Sequence, residues 1–171
     1  MGQICVVTSG KGGAGKSTVT AGLGYALARS SGRVLLIDAD AGLRSLDLML
    51  GIGGTAMYDL SDVLAGNCEP VRAIYSSPVC SNVFVLPAPV RPEDMCSPPQ
   101  MKKLCAGLAQ YYDPVIIDCP AGMGRGFETA VAVANANGRP LPADSAAAQC
   151  FGNIARRFRG ETVPLARLEK M

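Results

Sequence analysis

Ser9-Gly10-Lys11-Gly12-Gly13-Ala14-Gly15-Lys16-Ser17-Thr18 is the stretch whose reading decides the fold. It fits the phosphate-loop pattern G-x-x-x-x-G-K-[ST], with Gly10, Gly15, Lys16 and Ser17 at the fixed positions. A short β-rich run, Ile4-Cys5-Val6-Val7-Thr8, precedes it, and the residues from Thr18 to Arg29 read as a helix. The glycines let the backbone curl until several N–H groups point at one anion. The helix that follows adds its positive N-terminal end. In such a loop Lys16 bridges the outer phosphates and the Ser17 hydroxyl ligates Mg²⁺. The plainer alternative is a glycine-rich turn between a strand and a helix.

Outward from the loop, the pattern is that of an open α/β sheet. Residues 3–8 and 33–38 are nearly continuous apolar runs, which suits parallel strands covered on both faces. The helical stretch between them carries Val19, Leu23, Ala26 and Leu27 on one stripe, so a right-handed strand–helix–strand crossover is expected. A third strand is expected at 82–86 and a fourth at 114–118, making a sheet of about four strands. Residues 59–66 read as a short helix. Another is expected from Ser97 to about Tyr112, with Ser97 as N-cap, Pro98 as first helical residue and Gln100 closing a capping box. Acids end two of the strands: Asp38-Ala39-Asp40 and Asp118. Ligands of such sheets gather at the carboxyl ends of the strands, so these acids near a phosphate loop point to metal and water chemistry. Asp118 occupies the position from which such a strand holds Mg²⁺, directly or through water. The plainer alternative for either acid is a strand-end or turn cap.

Composition narrows the class. The 171 residues are 49% apolar, enough for one domain with a real core. A net charge of +2 without a basic stripe gives no case for nucleic acid. Seven cysteines, an odd number without a C-x-x-C pair, read as thiols of a reducing cytosol rather than a disulfide framework or zinc site. There is no histidine, so any catalysis must use carboxylates, lysines, hydroxyls or backbone. The start of the chain enters a strand without a signal peptide, and no apolar run approaches the roughly 20 residues of a spanning helix. A cytoplasmic protein is expected.

The run Lys11-Gly12-Gly13-Ala14-Gly15-Lys16-Ser17 resembles the deviant phosphate loop of the MinD/ParA ATPases. Gly42-Leu43-Arg44 and Leu46-Asp47-Leu48 are similar to the switch I stretch of the MinD branch, with Ser45 where asparagine is usual. Asp118-Cys119-Pro120-Ala121-Gly122 resembles switch II. The resemblance implies a three-layer α-β-α phosphate-loop NTPase fold with ATP and Mg²⁺ as ligands. It implies that Gly10, Lys11, Gly12, Gly13, Ala14, Gly15, Lys16, Ser17 and Thr18 hold the nucleotide, and that the Gly122 amide senses the γ-phosphate. Ser17, Asp40 and Asp118 then serve the metal. Lys11 acts in trans across a nucleotide-sandwich dimer, Lys16 in cis, and Asp40 orients the attacking water. Lys11 as a solvated loop cation is the alternative.

The resemblance runs from residue 1 to about 135, which would be the nucleotide-binding core. Residues 136–171, with a helical pattern from Ala146 to Arg159, resemble the family's extreme C-terminal end, packed on the same domain. The strands between these parts, which include the adenine-packing residues, have no counterpart. An internal deletion, loss of base selectivity and a first strand left at the sheet edge are the expectations. Arg156, Arg157 and Arg159 beside Ile154 and Phe158 read either as a closing helix with a solvated basic face or as weak attachment to an anionic membrane surface. The implied function is an ATP-binding and hydrolysing dimerisation switch for septum-site selection, with division-inhibitor or activator proteins as partners. Open alternatives are positioning of flagella or other cargo, and a non-hydrolysing remnant that binds nucleotide or partners only. A metallocluster reductase of the nitrogenase iron-protein type shares the loop, and would need Cys96 and Cys119.

Overall fold

The structure is a computed structural model, and it describes residues 2–29, 32–91, 97–122, 124, 128–129 and 132–133. The chain divides into two compact units, Met1–Gly138 and Arg139–Met171. The second unit lies outside the described residues. So do the expected C-terminal segment 136–171 and its helical pattern from Ala146.

Among the described residues the first unit holds these ten elements in chain order. They are β1 (Ile4–Ser9), α1 (Lys16–Ala28), β2 (Val34–Asp38), α2 (Ser45–Met49) and α3 (Leu60–Ala65), then α4 (Pro70–Ala73), β3 (Tyr75–Ser76), β4 (Val83–Leu86), α5 (Pro98–Leu108) and β5 (Val115–Ala121). The sheet order is β1-β5-β2-β4-β3. The pairings of β1 with β5, β5 with β2, and β2 with β4 are parallel. The resemblance implies that the expected third, second, fourth and first strands lie in that order, and β4, β2, β5 and β1 do.

Among the described residues the expected count of four strands is corrected to five. β3 pairs antiparallel with β4 through Tyr75↔Val85 and Ser76↔Phe84. Two residues carry no readable alternation, so only the neighbouring strand defines this one. α2 and α4, of five and four residues, escaped pattern reading for the same reason. The helix expected to reach Tyr112 ends at Leu108, and turns carry the chain to β5. Its start is as read: Gln100 Oε1 accepts from the Ser97 N–H at 3.1 Å and from Ser97 Oγ at 2.7 Å.

Burial follows the sheet order. Every residue of β2 is buried, and so are Val115 to Cys119 of β5. The main core joins Leu35, Ile37, Leu86, Met101, Cys105, Ile116's neighbours Val115 and Ile117, and Leu60. Burying such side chains contributes about 1.5–3 kcal/mol each and sets which face of each helix turns inward. In β1, Ile4, Cys5, Val6 and Val7 are only half-buried. Among the described residues β1 pairs with β5 alone and forms the edge, as expected.

Candidate functional site

The carboxyl ends of β1, β5 and β2 lie side by side, and the loop after β1 turns directly into α1. Gly13 and Gly15 have φ of +69° and +85°, a region side-chain-bearing residues rarely occupy. Gly15 is the N-cap of α1, and its carbonyl accepts from the Val19 N–H at 2.9 Å, the first bond of the helix. The loop's entrance is fixed by Ser9, whose Oγ donates to the Lys11 carbonyl at 2.8 Å. Gly10 to Ala14 are exposed, and so are Lys11 and Thr18.

Asp118 stands beneath the start of α1. Thr20 Oγ1 donates to its Oδ1 at 3.2 Å, and the Ser17 hydroxyl lies near enough to favour its charged form. Thr20 is completely buried and bonds the Lys16 carbonyl as well, at 3.0 Å. Asp118 is buried, yet its Oδ2 has no hydrogen-bond partner. Burial pushes its carboxyl up, while the Ser17 and Thr20 hydroxyls and the Lys16 ammonium pull it down. Asp40 is half-buried; burial raises its carboxyl too, and Lys16 again opposes this. The structure therefore brings Lys16, Ser17, Asp40 and Asp118 together.

Asp38 was read only as one of two strand-end acids, yet it holds the switch I segment in place. It is fully buried and directly opposite Asp118 in the β2–β5 register. Its Oδ1 accepts from the Asp40 N–H at 2.9 Å and its Oδ2 from the Leu46 N–H at 3.3 Å. Burial pushes its carboxyl up to about 7. Thr20 is the other residue the sequence reading passed over. It lies one helical turn beyond Lys16, so the i, i+4 spacing was the available signal. Asp38 had none, because its neighbour is set by strand order.

Switch I is closed by further bonds. The Gly42 N–H donates to the Pro89 carbonyl at 3.0 Å. Arg44, at φ +46°, caps α2 and its Nε donates to Asp47 Oδ2 at 2.7 Å. A left-handed residue other than glycine costs roughly 1 kcal/mol, and the bond to a buried carboxylate offsets it.

Gly122 is tied to the entrance of the phosphate loop. β5 continues through Cys119-Pro120-Ala121, the stretch that resembles switch II, and Ala121 pairs with Ser9. The Gly122 N–H donates to the Ser9 carbonyl at 3.1 Å. Contact between that amide and a phosphate requires this bond to break first.

Two of the expected metal ligands fit Mg²⁺ on this structure. A buried carboxylate oxygen without a partner and an adjacent hydroxyl are hard oxygen donors, and Mg²⁺ takes one or two carboxylates plus substrate phosphates. Among the described residues no group of three His, Cys, Asp or Glu forms a metal cage. The cluster-reductase reading loses ground: Cys119 is buried, and burial with the nearby Asp118 pushes its thiol up to about 12. Cys96 lies outside the described residues.

A mostly parallel sheet, a glycine loop feeding a helix, and carboxylates at the adjoining strand ends define the phosphate-loop class of nucleotide-binding proteins. Within that class, the family model described as the CobQ/CobB/MinD/ParA nucleotide binding domain matches residues 5–168, and the chain belongs to that family. It is 46% identical over 135 residues to the septum site-determining protein MinD of Thermotoga maritima, covering 78% of this chain and 50% of that one. Two solved structures are similar. MinD of Pyrococcus horikoshii, complexed with Mg-ADP, is 37% identical with a TM-score of 0.68, over 77% of this chain and 55% of that one. The MinC:MinD cell division protein complex of Aquifex aeolicus matches at 38% identity and a TM-score of 0.67, over 77% and 52%. The chain spans about half the length of the curated relatives it matches. Among the described residues no helix is long and apolar enough to cross a membrane.

Proposed function

We propose that this chain binds ATP with Mg²⁺ and hydrolyses it as a dimerisation switch of the MinD kind, acting in septum-site selection. The observation that carries this is the convergence of Lys16, Ser17, Thr20, Asp40 and Asp118 at one end of the sheet, with a buried Asp118 oxygen left over. The amides of Gly10, Gly12, Gly13, Ala14, Gly15 and Thr18 cradle the phosphates and Lys16 pairs with the outer ones. Ser17 and Asp118 hold the metal, with Asp40 beside them. When bound, Mg²⁺ supplies neutralisation of the charge that develops on the transferred phosphoryl group. Asp40, its carboxyl raised by burial, orients the attacking water and accepts its proton. Lys11, exposed on the loop, reaches the phosphates of a second copy, so the acting unit is the ATP-dependent homodimer. Gly122 senses the γ-phosphate by giving up its bond to Ser9.

The MinC:MinD complex of Aquifex aeolicus supports a division-inhibitor protein as partner. For the stretch with Arg156, Arg157 and Arg159 beside Ile154 and Phe158 we infer weak peripheral attachment at the inner face of the membrane, which would be seen as ATP-dependent pelleting with anionic vesicles.

Phosphate release with ATP and Mg²⁺ tests the proposal. Lys16→Ala and Asp40→Ala should each lower it about a hundredfold or more. Lys11→Ala should keep nucleotide binding but lose the monomer-to-dimer shift on sizing. An unmodified chain that binds ATP and releases no phosphate would leave only the remnant reading standing.

A further inference from the structure

A groove of about 840 Å³ opens at the opposite end of the strands from the phosphate loop. Arg33, which immediately precedes β2, and Tyr112, just before β5, form its floor. α3 and α4 make one wall and α5 the other. Most of the lining is apolar, and two of its large side chains are left open to solvent: Val71 is 71% exposed and Tyr111 70%. Isolated apolar side chains at a surface need no explanation, but two lining one cavity do.

The polar groups in the groove have a definite sign. The Arg33 guanidinium lies 4.8 Å from the ring centroids of both Phe84 and Tyr112, and donates to the Tyr112 hydroxyl at 3.4 Å. Two rings fix its position without neutralising it, and among the described residues the one ion pair is Arg44–Asp47, elsewhere. Lys103 adds a second positive charge and Glu69 one negative, so the lining carries a net positive charge. Volumes of about 300–1,000 Å³, apolar walls and a few convergent polar groups are the marks of a small-molecule site.

We propose that this groove binds a small amphipathic organic anion, its apolar body between α4 and α5 and its acidic head on Arg33. The positive lining selects against a basic peptide, including this chain's own arginine-rich stretch around Arg156–Arg159. The site is independent of nucleotide binding, since none of its lining residues belongs to the phosphate loop or switch segments.

Gly107 supplies a clean test. It lines the groove on α5, and a Cβ built there meets nothing within 4 Å. Gly107→Leu therefore fills the groove without removing a contact, and improves the helix. The probe is 8-anilino-1-naphthalenesulfonate, followed by fluorescence titration on the intact chain, with its neutral counterpart N-phenyl-1-naphthylamine in parallel. The sulfonate should bind at one site, and Gly107→Leu should abolish that binding while the thermal midpoint holds or rises. Arg33→Met should weaken the sulfonate about tenfold and leave the neutral probe nearly unchanged. Sulfonate binding that is absent, or indifferent to both substitutions, overturns the proposal.

Discussion

Asp38 shows what one buried carboxyl does to the balance of this fold. It sits in full burial with two backbone N–H donors and with Asp118 and Asp47 as negative neighbours. Burial is the largest cause of its rise from 3.8 to about 7; the two hydrogen bonds only moderate it. A raised carboxyl means that the folded state holds a proton which the unfolded chain has released. Its contribution to stability is therefore fully present below about pH 4 and is lost as pH rises through about 7. In the absence of nucleotide and Mg²⁺, the denaturation midpoint should fall between about pH 4 and pH 7 and level off above that. Asp40, Asp47 and Asp118 are raised too and act in the same direction. In Asp38→Asn the slope should shrink without vanishing. An amide accepts fewer bonds than a carboxylate, so this variant also loses about 1–3 kcal/mol at all pH values. The slope is the informative reading, and an unchanged slope would mean that Asp38 is ionised in the folded protein.

Among the elements, those with long apolar runs could be read directly. β1, β2, β4 and β5 announce themselves because each is covered on both faces and needs apolar residues throughout. The phosphate loop was legible because its glycines and lysine are required by conformation and charge at fixed spacing. What stayed hidden depends on distant partners. β3 exists because Tyr75 reaches back, its hydroxyl accepting from the Met57 and Tyr58 N–H groups at 3.0 and 2.9 Å. Nothing local in Tyr75-Ser76 records that. The same holds for the two glycines of α1, which look equivalent in sequence. Gly24 is buried against β2, where a Cβ would stand 2.9 and 3.0 Å from the two methyl carbons of the fully buried Leu36. Gly22 is exposed with nothing within 4 Å. Alanine gains helix propensity at either position, by up to about 1 kcal/mol. At Gly24 overpacking costs about 1–3 kcal/mol. Chemical denaturation should therefore show Gly22→Ala stabilised and Gly24→Ala destabilised, by around 1 kcal/mol each. Equal gains in both would show that α1 can lift from β2 at no cost.

At the scale of the whole molecule, the position of β1 sets the terms. The strand that delivers the phosphate loop is the half-buried one, while its neighbour β5 is sealed from Val115 to Cys119 and β2, one strand further in, throughout. Its pairing with β5 fixes which amides are used. The Val115 N–H donates to the Gln3 carbonyl at 2.8 Å, so in a parallel ladder Gln3, Cys5 and Val7 face β5. The N–H groups of Ile4 and Val6 consequently point toward the open side. An apolar edge with free amides is a template for another strand, and it lies one loop away from the proposed nucleotide site. Amide hydrogen exchange reads this directly. Cys5 and Val7 should be protected at least about a hundredfold more than Ile4 and Val6, since only the former exchange through opening of the sheet. Equal protection at all four would mean that a strand lies against β1. Repeating the exchange over a dilution series then separates the sources: protection lost on dilution comes from a second copy, and protection that persists comes from this chain itself.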